Sequence, residues 1–576
     1  MPTINDNSPA VVKPDSFPNH INQPSIELSI AYDFGTSSTK AAFRITKRGI
    51  FRANQHSLEH IGEIETVDFR GQPFVRTQIA WENSEDTNGT QPQQLWGHEV
   101  TLALKAGRIS NDDVFSRLKP IVFQENHPDL IKVQTKISRL DDSIRQRPRR
   151  NAHPGEPQFV EIDQLQLLSD NMGHVHRYVL SQIAAPPNRH NNQVSILLPV
   201  AATPAQQQTM LDLAKTAGIS DLSTIGEPTA ALVRHVRIGR DDYTGRVLAL
   251  LDIGAGSVDL QIWKIVSTQP LRIQEVIKSR TEWCGGDAVN KEAARIIIKG
   301  IASRSNMAKV LGSVQGTCRG KNMSESQFQD MLETEFEEAK KSFYHPSRAR
   351  HKDTVVLTPE DMAEIYRSPL RKIMAMLRGA VEDMKQEGYR EPFDTIVMFG
   401  GGANEYIQHQ IESASEANKT LGVDCEIMSI RPTDASFMTA AAVGAIYIQE
   451  DEAILDKRVT LRGYYIARNI IAGDLPDVGE DDNLEFFKHD QQLRRTNVSK
   501  CLIQPGTTVG RRHLAIIRGE RALLPEDQDV HRCWDHEERL YFSDQEVKDD
   551  TWVERPGNTL HEMPSPLKFK ITAGWQ

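Results

Sequence analysis

Short apolar runs that predict buried strands alternate along the chain with segments whose apolar residues recur at helical spacing. Strands are predicted at 194–200, 248–252, 260–266 and 395–399. A helix is predicted over 160–183, where a spacing of three or four positions joins Leu165, Leu168, Met172, Val175 and Val179. Alternating strands and helices are typical of an α/β fold.

Two more helices are predicted from their first residues. Thr203-Pro204 and Thr358-Pro359 each place a capping hydroxyl before a proline at the first helical position. We therefore expect helices over 205–217 and 360–386, each ending near a glycine.

Two polar segments interrupt this pattern. Residues 1–25 contain Pro, Asn and Ser without an apolar core, which predicts a disordered leader. The Arg-rich segment 139–157, which also contains three prolines, predicts a surface insertion.

The α/β pattern ends at about residue 450, where Pro, Gly, Asp and scattered aromatic residues take over. We expect a small β-rich module over 451–576, separate from the rest of the chain. Strands are predicted at 498–507 and 514–517, and a loop-like stretch at 472–496.

Composition narrows the classes of function. A chain of 576 residues is too long for one hydrophobic core, so several domains or lobes are expected. The net charge is −10, and the one basic cluster, 145–150, lies among Pro and Gly, so nucleic acid is not an expected partner. The five Cys residues are far apart and form no Cys-x-x-Cys pair, which argues against a disulfide framework and a zinc site.

The same sequence gives expectations about location. Its first residues contain no signal-peptide core, and no run reaches the roughly 18 apolar residues of a membrane span. A reducing compartment fits the cysteines best, so we expect a cytoplasmic protein, with the nucleus as an alternative.

Two predicted strands end in the same pattern, Asp-x-Gly followed by small residues and a hydroxyl. The first is Asp33-Phe34-Gly35-Thr36-Ser37-Ser38, and the second is Asp252-Ile253-Gly254-Ala255-Gly256-Ser257. A Gly-rich turn lets backbone N–H groups approach a polyphosphate, and the Asp can hold a hydrated Mg²⁺. Each pattern alone is more typical of an ordinary hairpin turn, but the pair predicts two facing phosphate loops. Neither is a Walker loop, because no Gly-Lys-Ser/Thr follows.

Five motifs occur in a fixed order along the chain. They are Asp33-Phe34-Gly35-Thr36, Ile225-Gly226-Glu227-Pro228-Thr229-Ala230-Ala231, Asp252-Ile253-Gly254-Ala255-Gly256-Ser257-Val258-Asp259, Phe399-Gly400-Gly401-Gly402, and Asp434 at the start of an Ala-rich helix through Gly444. Together they resemble the actin-like ATPase domain of the heat shock protein 70 family. The resemblance covers roughly residues 27–450 and is closest to the divergent branch that includes the mammalian twelve-type proteins and many fungal homologues.

This resemblance implies a fold of two ribonuclease H-like lobes with a nucleotide in the cleft between them. Lobe I would span residues 26–226, and lobe II would span 227–433. Residues 434–450 would form a connecting helix that closes lobe I, ahead of the β-rich module.

The resemblance also implies roles for individual residues, with ATP or ADP and Mg²⁺ as cofactors. Asp33 and Asp252 would hold the metal through its waters, while Glu227 and Asp259 would complete the acidic set around the attacking water. Lys119 is the candidate for the lysine on the γ-phosphate, although a lone lysine is usually a solvated surface charge. Glu227 alone would be an ordinary carboxylate at a helix N-terminus. The implied phosphate-lining residues are Gly35, Thr36, Ser37, Ser38, Gly254, Ala255, Gly256 and Ser257.

Another set of residues is implied to bind the nucleoside. Its members are Gly285, Gly286, Glu337, Lys340, Lys341, Ser342, Gly400, Gly401, Gly402, Asn404 and Asp434. Taken alone, the segment 336–342 is also typical of an exposed helix with Glu–Lys pairs. Four positions depart from the family pattern: Ala255 and Ala440 replace glycines, Lys341 replaces an arginine, and Asn404 replaces an arginine that stacks on adenine.

Three functions remain open. The first is a slow, Mg-dependent ATPase whose hydrolysis opens and closes the lobes. The second is a pseudo-ATPase scaffold that binds nucleotide without turnover. The third is a sugar or polyol kinase, because residues 33–40 also resemble the opening of those kinases. We expect the residues after 450 to be too few for the family's usual peptide-binding domain. An unidentified protein partner or client is a further expectation.

Overall fold

The protein is described by a computed structural model over part of its length. The described residues are 25–48, 59–82, 92–124, 128–148, 159–183, 190–239, 241–303, 325–340, 358–390, 393–416, 425–429, 438–471, 484–487, 492–510, 533–547, 559–564 and 566–572. Residues 1–24 of the predicted leader, the predicted strand 514–517, and the site candidates Lys341, Ser342 and Asp434 lie outside them.

The first large sheet is built from residues before 227. Its part of the chain contains the strands β1 (Ser25–Phe34), β2 (Ser38–Arg48), β3 (Glu59–Ile61), β4 (Glu65–Thr66), β5 (Val75–Arg76), β6 (Gln78–Glu82), β7 (Gln93–Trp96), β8 (Phe115–Ser116), β9 (Gln146–Pro148), β10 (Phe159–Glu161), β11 (His190–Leu198) and β12 (Leu222–Gly226). The helices are α1 (His98–Lys105), α2 (Pro120–Phe123), α3 (Pro128–Ser138), α4 (Asp142–Arg145), α5 (Gln164–Gln182) and α6 (Pro204–Thr216). The strand order is β12-β11-β1-β2-β3, with β4 and β5 also paired to β2. Strands β1 and β11 are parallel, whereas β1 and β2 form an antiparallel hairpin.

The second large sheet is built from later residues. Its strands come from β13 (Val247–Ile253), β14 (Val258–Thr268), β15 (Leu271–Glu275), β16 (Arg280–Glu282), β17 (Thr395–Phe399), β18 (Glu426–Ser429), β19 (Leu455–Val459) and, further along, β23 (Thr508–Gly510). The helices are α7 (Glu227–Ile238), α8 (Gly286–Ser303), α9 (Glu325–Lys340), α10 (Pro359–Gln386), α11 (Glu405–Glu416) and α12 (Ala440–Glu450). The order is β18-β17-β13-β14-β15-β19-β23, with β16 paired to β14. Strands β13 and β14 again form an antiparallel hairpin.

The remaining strands follow residue 462. They are β20 (Gly463–Ile471), β21 (Leu484–Phe487), β22 (Gln492–Ile503), β24 (Cys533–Glu538), β25 (Leu540–Ser543), β26 (His561–Glu562) and β27 (Leu567–Thr572). Strands β21, β22, β20, β25 and β26 form one sheet in that order, and β24 pairs with β27. Because β19 and β23 extend the second large sheet, part of the segment 451–576 is continuous with it.

Helices α7 and α12 join the two large sheets. Their apolar residues share one buried cluster with Ala31 and Leu197 of the first sheet and Leu250 and Trp263 of the second. A side chain at Gly444 of α12 would overlap the carbonyl oxygen of Ala230 in α7, so the helices approach with backbone in contact. This shared core joins the two large sheets, which contain the β1–β2 and β13–β14 hairpins.

Several predicted elements agree with the structure. Helix α5 buries Leu168, Met172, Val175 and Val179, as their spacing predicts, with Leu165 partly buried. Helices α6 and α10 begin at their prolines, each with a capping box between the preceding threonine and the residue three positions later. The prediction of an α/β fold holds for the sheets before residue 450.

One prediction needed correction. The stretch 472–496 was expected to be loop-like, but β21 and the first residues of β22 form an antiparallel hairpin within it. The charged residues of β22 obscure the strand pattern, because one side of a strand at a sheet surface tolerates charge. In the segment 139–157, where a surface insertion is predicted, the described residues include α4 and β9, and β9 pairs with β10. The surface insertion stays a prediction. The described helices include none with both the length and the apolar character to cross a membrane.

Candidate functional site

The two Asp-x-Gly segments are the turns of two matching hairpins. The N–H of Gly35 donates to the carbonyl of Ser38 over 3.1 Å, and that of Gly254 donates to the carbonyl of Ser257 over 2.9 Å. The turns face each other, since the Thr36 hydroxyl oxygen lies 3.4 Å from where a Cβ on Gly256 would stand. The ordinary hairpin interpretation is therefore correct for the shape of each turn, and their juxtaposition is the additional feature.

A cavity lies between these turns. It is lined by Thr36, Lys119, Pro120, Phe123, Pro199, Glu227, Gly254, Ala255, Gly256, Ser257 and Trp283. Among the described residues, no backbone acceptor meets the N–H groups of Thr36, Ser37, Ala255 and Gly256. Backbone donors left open at a turn are the groups that bind anions such as phosphate.

Lys119 and Glu227 come together at the cavity although 108 positions separate them. Lys119 is only 4 % exposed and forms an ion pair with Glu227, so it is not a solvated surface charge. Glu227 is the first residue of α7, where the helix macrodipole favours a carboxylate, so that ordinary interpretation applies together with the ion pair. The structure thus brings Lys119 to the cavity between the turns.

The three aspartates lie on the strands that lead into the turns. Asp252 and Asp259 occupy directly opposite positions of the β13–β14 hairpin. Asp259 accepts hydrogen bonds from the hydroxyls of Ser257, over 3.1 Å, and Thr281. Burial raises the pKa of Asp259 to about 6, and burial together with Glu227, Asp259 and Asp33 raises the pKa of Asp252 well above its ordinary value. Shifted carboxylates gathered beside a cavity are a feature of functional sites.

Asp33 is paired with Lys40, which lies in the kinase-like segment 33–40. The Lys40 Nζ lies 3.1 Å from Oδ2 of Asp33, and the two residues are opposite partners in the β1–β2 hairpin. Burial alone would lower the pKa of Lys40, but Asp33, Glu227 and Asp252 together raise it. Counting pairs outward from the turn at residues 35–37 would have placed Lys40 against Asp33 from the sequence.

The carboxylates suit a hydrated cation. Asp33 and Asp252 offer the hard oxygen atoms that Mg²⁺ prefers. Within the described ranges, no group of three or more His, Cys, Asp and Glu side chains forms a direct metal-binding cluster. Asp33 and Asp252 remain the predicted residues for a metal held through its waters.

The turn before α8 supports the second hairpin. The N–H groups of Gly285, Gly286 and Asp287 donate to the carbonyls of Gly256, Gly254 and Ala255, over 3.1, 2.9 and 2.8 Å respectively. Ala255 is not among the non-glycine residues with positive φ, which are Arg70, Arg117 and Asp221 in the described chain. Its methyl group is therefore accommodated without backbone strain in place of the family's glycine.

A second, mainly apolar cavity adjoins this turn. Its lining includes the predicted nucleoside residues Gly285, Gly286, Lys340 and Gly402, together with Ile253, Cys284, Val289, Tyr366, Pro369, Ile373 and Ile407. Lys340 donates to the carbonyl of Gly286 and to Asn290, and Glu337 accepts from Asn290 over 2.7 Å. The interpretation of this segment as an ordinary exposed helix is wrong for Lys340, which is buried.

Asn404 has a different setting from the one implied by the resemblance. Its amide donates to the Tyr366 hydroxyl over 2.8 Å, and its side-chain oxygen accepts from the N–H of Ile407. The side chain thus caps the start of α11 and anchors Tyr366. Tyr366 had no sequence motif to mark it, because its position in α10 looks like any other apolar helix position.

The Gly400–Gly402 segment passes directly under Asp252. Gly400 has φ +95°, and a Cβ there would overlap the Asp252 carboxylate. Glycine is therefore required at this position for both conformation and space. Gly401 has no atom within 4 Å of its would-be Cβ.

Comparison with known proteins adds a family relationship. The chain is 29 % identical over 211 residues to the chaperone protein HscA homolog of Aromatoleum aromaticum, covering 36 % of this chain and 30 % of that protein. It is 24 % identical over 247 residues to the chaperone protein dnaK of Thalassiosira pseudonana, covering 41 % of this chain and 38 % of the relative. A heat shock protein 70 homolog of Acanthamoeba polyphaga mimivirus is 26 % identical over 162 residues, or 28 % of this chain and 16 % of the viral protein.

The chain is related to the heat shock protein 70 family. No protein-family model matches the chain. The matches to HscA and dnaK span well under half the length of those relatives. The mixed α/β architecture with several sheets is compatible with the actin-like ATPase fold of this heat shock protein 70 relationship. Assignment to the twelve-type branch stays a prediction.

Proposed function

We propose that this heat shock protein 70-like chain binds ATP and ADP in the cleft between its two hairpins. The observation that carries the proposal is that two turns more than 200 positions apart line one cavity together with a buried lysine and a glutamate. Open N–H groups at the turns would bind the phosphates, and the adjoining apolar cavity would receive the nucleoside. In this proposal lobe I ends at residue 226, lobe II ends at 433, and the connecting helix ends at 450.

Slow ATP hydrolysis is the proposed reaction. Phosphoryl transfer needs a positioned water and neutralised charge more than covalent help, so buried charged groups suffice. Lys119 would bind the γ-phosphate on release from Glu227, and Glu227 and Asp259 would orient the attacking water. A carboxylate whose pKa is raised to about 6, like that of Asp259, can accept a proton near neutral pH. When bound, Mg²⁺ would be held by Asp33 and Asp252 through its waters and would supply charge neutralisation.

Loss of the γ-phosphate would change the angle between the lobes, because a bound phosphate would contact both turns. Helices α7 and α12 form the core between the sheets and are the proposed hinge region. The β-rich segment after 450 would pack on the lobes or carry a site for a protein partner or client in the cytoplasm or nucleus.

Nucleotide binding without turnover is the second candidate. It is favoured by the Lys119–Glu227 ion pair, which engages two proposed catalytic groups with each other, and by Asn404, which is engaged with Tyr366. A sugar or polyol kinase is considered only as one possible outcome of the experiment below.

Calorimetric titration with ATP, ADP and AMP, followed by a phosphate-release assay, tests the proposal. We expect ATP and ADP to bind, and Lys119→Ala to reduce phosphate release at least about tenfold by removing a charge contact to the transferred group. The matched control is Lys215→Ala, since Lys215 is an exposed lysine on α6. Binding without phosphate release would support the pseudo-ATPase, and turnover that requires an added sugar would support the kinase. Absence of any nucleotide binding would contradict the proposal.

A further inference from the structure

Lys40 lies among the carboxylates to which the metal was assigned. Its ammonium group is 3.1 Å from Asp33, and the Lys40 side chain is only 21 % exposed. The Nζ atom is also 3.6 Å from where a Cβ on Gly35 would stand, so the side chain turns back toward the first hairpin turn. The ammonium group therefore lies beside the first hairpin turn. Among the described residues, no backbone acceptor meets the N–H groups of Thr36 and Ser37 in that turn.

An ordinary cross-strand ion pair would explain only part of this arrangement. Such a pair needs only one carboxylate. Lys40 interacts electrostatically with Glu227 and Asp252 as well as Asp33, and these residues come from two other elements. Its charge therefore acts on three of the four carboxylates assigned to the metal and the attacking water.

The two lysines divide the acidic set between them. Lys40 pairs with Asp33, and Lys119 pairs with Glu227. Half of the carboxylates assigned to the metal and the attacking water thus already have a cationic partner within the chain. A polyphosphate that approaches this site meets less negative charge than a set of four unpaired carboxylates would present.

We propose that Lys40 supplies part of the charge neutralisation usually provided by the divalent cation, so that nucleotide polyphosphate binds here even without a metal. This inference rests on the proposed nucleotide site. The ammonium would contact a phosphate oxygen and Asp33 together, because Lys offers three rotatable donors on a flexible stem. A divalent cation and Lys40 would then compete for Asp33.

The test is calorimetric titration of ATP into the full chain, once in excess MgCl₂ and once in EDTA. For the wild type, we expect removal of the metal to weaken binding by less than about tenfold. For Lys40→Met, which keeps the length of the side chain without its charge, we expect binding in EDTA to weaken by roughly 30-fold or more. Binding of this variant in MgCl₂ should change little, because the metal would then bind at Asp33 without competition from Lys40 and would neutralise the phosphate charge.

Two further variants serve as controls. Lys40→Arg keeps the charge and should retain metal-free binding, whereas Lys215→Met should behave as the wild type in both buffers. The wild-type titrations decide the question even if Lys40→Met does not fold. Wild-type binding that is tight in MgCl₂ and absent in EDTA would overturn the inference and leave the proposed function intact. Absence of binding in both buffers would contradict the proposed function itself.

Discussion

Asp259 is a single residue whose burial controls how it titrates. It is 1 % exposed and accepts two hydroxyl hydrogen bonds, which only partly offset the effect of burial. Its pKa in the folded protein is raised to about 6. A carboxyl with a raised folded pKa stabilises the fold fully below its unfolded pKa of about 4, and this contribution is lost as pH rises through the folded value.

Replacing Asp259 by Asn should therefore stabilise the nucleotide-free protein at neutral pH. A shift of two pKa units corresponds to about 3 kcal/mol, so the variant should gain up to that amount in free energy of unfolding at pH 7.5. The gain should shrink toward zero near pH 4, where the wild-type carboxyl is also neutral. Denaturant unfolding of both proteins at the two pH values measures it. A variant that is no more stable than the wild type at pH 7.5 would contradict this account of Asp259.

At the scale of secondary-structure elements, the close contact between α7 and α12 links the two sheets. Gly444 lies against the backbone of Ala230, where no side chain fits. Gly444→Ala should lower the free energy of unfolding by about 1–3 kcal/mol, because overpacking outweighs the better helix propensity of alanine. Gly510→Ala is the control, since nothing lies within 4 Å of its would-be Cβ. Equal unfolding midpoints in urea for the two variants would show that the helices can separate without cost.

Elements with strong local patterns could be predicted from the sequence, whereas contacts set by distant parts of the chain could not. The capping boxes at Thr203 and Thr358 are local, and both helices start where predicted. The two Asp-x-Gly turns could also be predicted, because the residues that form each turn are adjacent in the sequence. The role of Asn404 could not be, since its partner Tyr366 lies 38 positions away in another helix.

The same distinction explains the β-rich segment. Strand β19 follows the predicted boundary at 450 but pairs with β15 of the second large sheet. Register between distant strands depends on tertiary packing, and no local residue pattern encodes it. Lys40 is the opposite case: its hairpin register follows from turn length, although its effect on Glu227 and Asp252 depends on the whole fold.

At the scale of the whole molecule, one arginine connects the parts of the chain on either side of the cleft. Arg117, which precedes Lys119, lies 3.1 Å from Glu333 of α9 and 3.6 Å from Asp287 of α8. Its backbone has φ +56°, a conformation that a non-glycine residue seldom adopts. Because Glu333 is buried, this contact is less screened by solvent than a surface pair.

Arg117→Ala should therefore accelerate nucleotide release. Losing about 1.4 kcal/mol of closing contact would raise the dissociation rate constant of a fluorescent ATP analogue roughly tenfold in stopped-flow measurements. Arg108→Ala is the matched control, because Arg108 pairs with Glu82 on the same side of the cleft. If both variants release the analogue at the wild-type rate, the Arg117 contacts do not hold the cleft closed.

Hydrogen–deuterium exchange with and without ATP tests most directly whether nucleotide binds between the hairpins. The open N–H groups of Thr36, Ser37, Ala255 and Gly256 should exchange readily in the free protein and slowly once phosphate oxygens accept from them. We predict that millimolar ATP slows exchange in peptides covering 33–38, 252–257 and 285–287, and leaves peptides from β20 and β22 unchanged. Unchanged exchange at both turns, or protection confined to the strands after residue 462, would contradict the account.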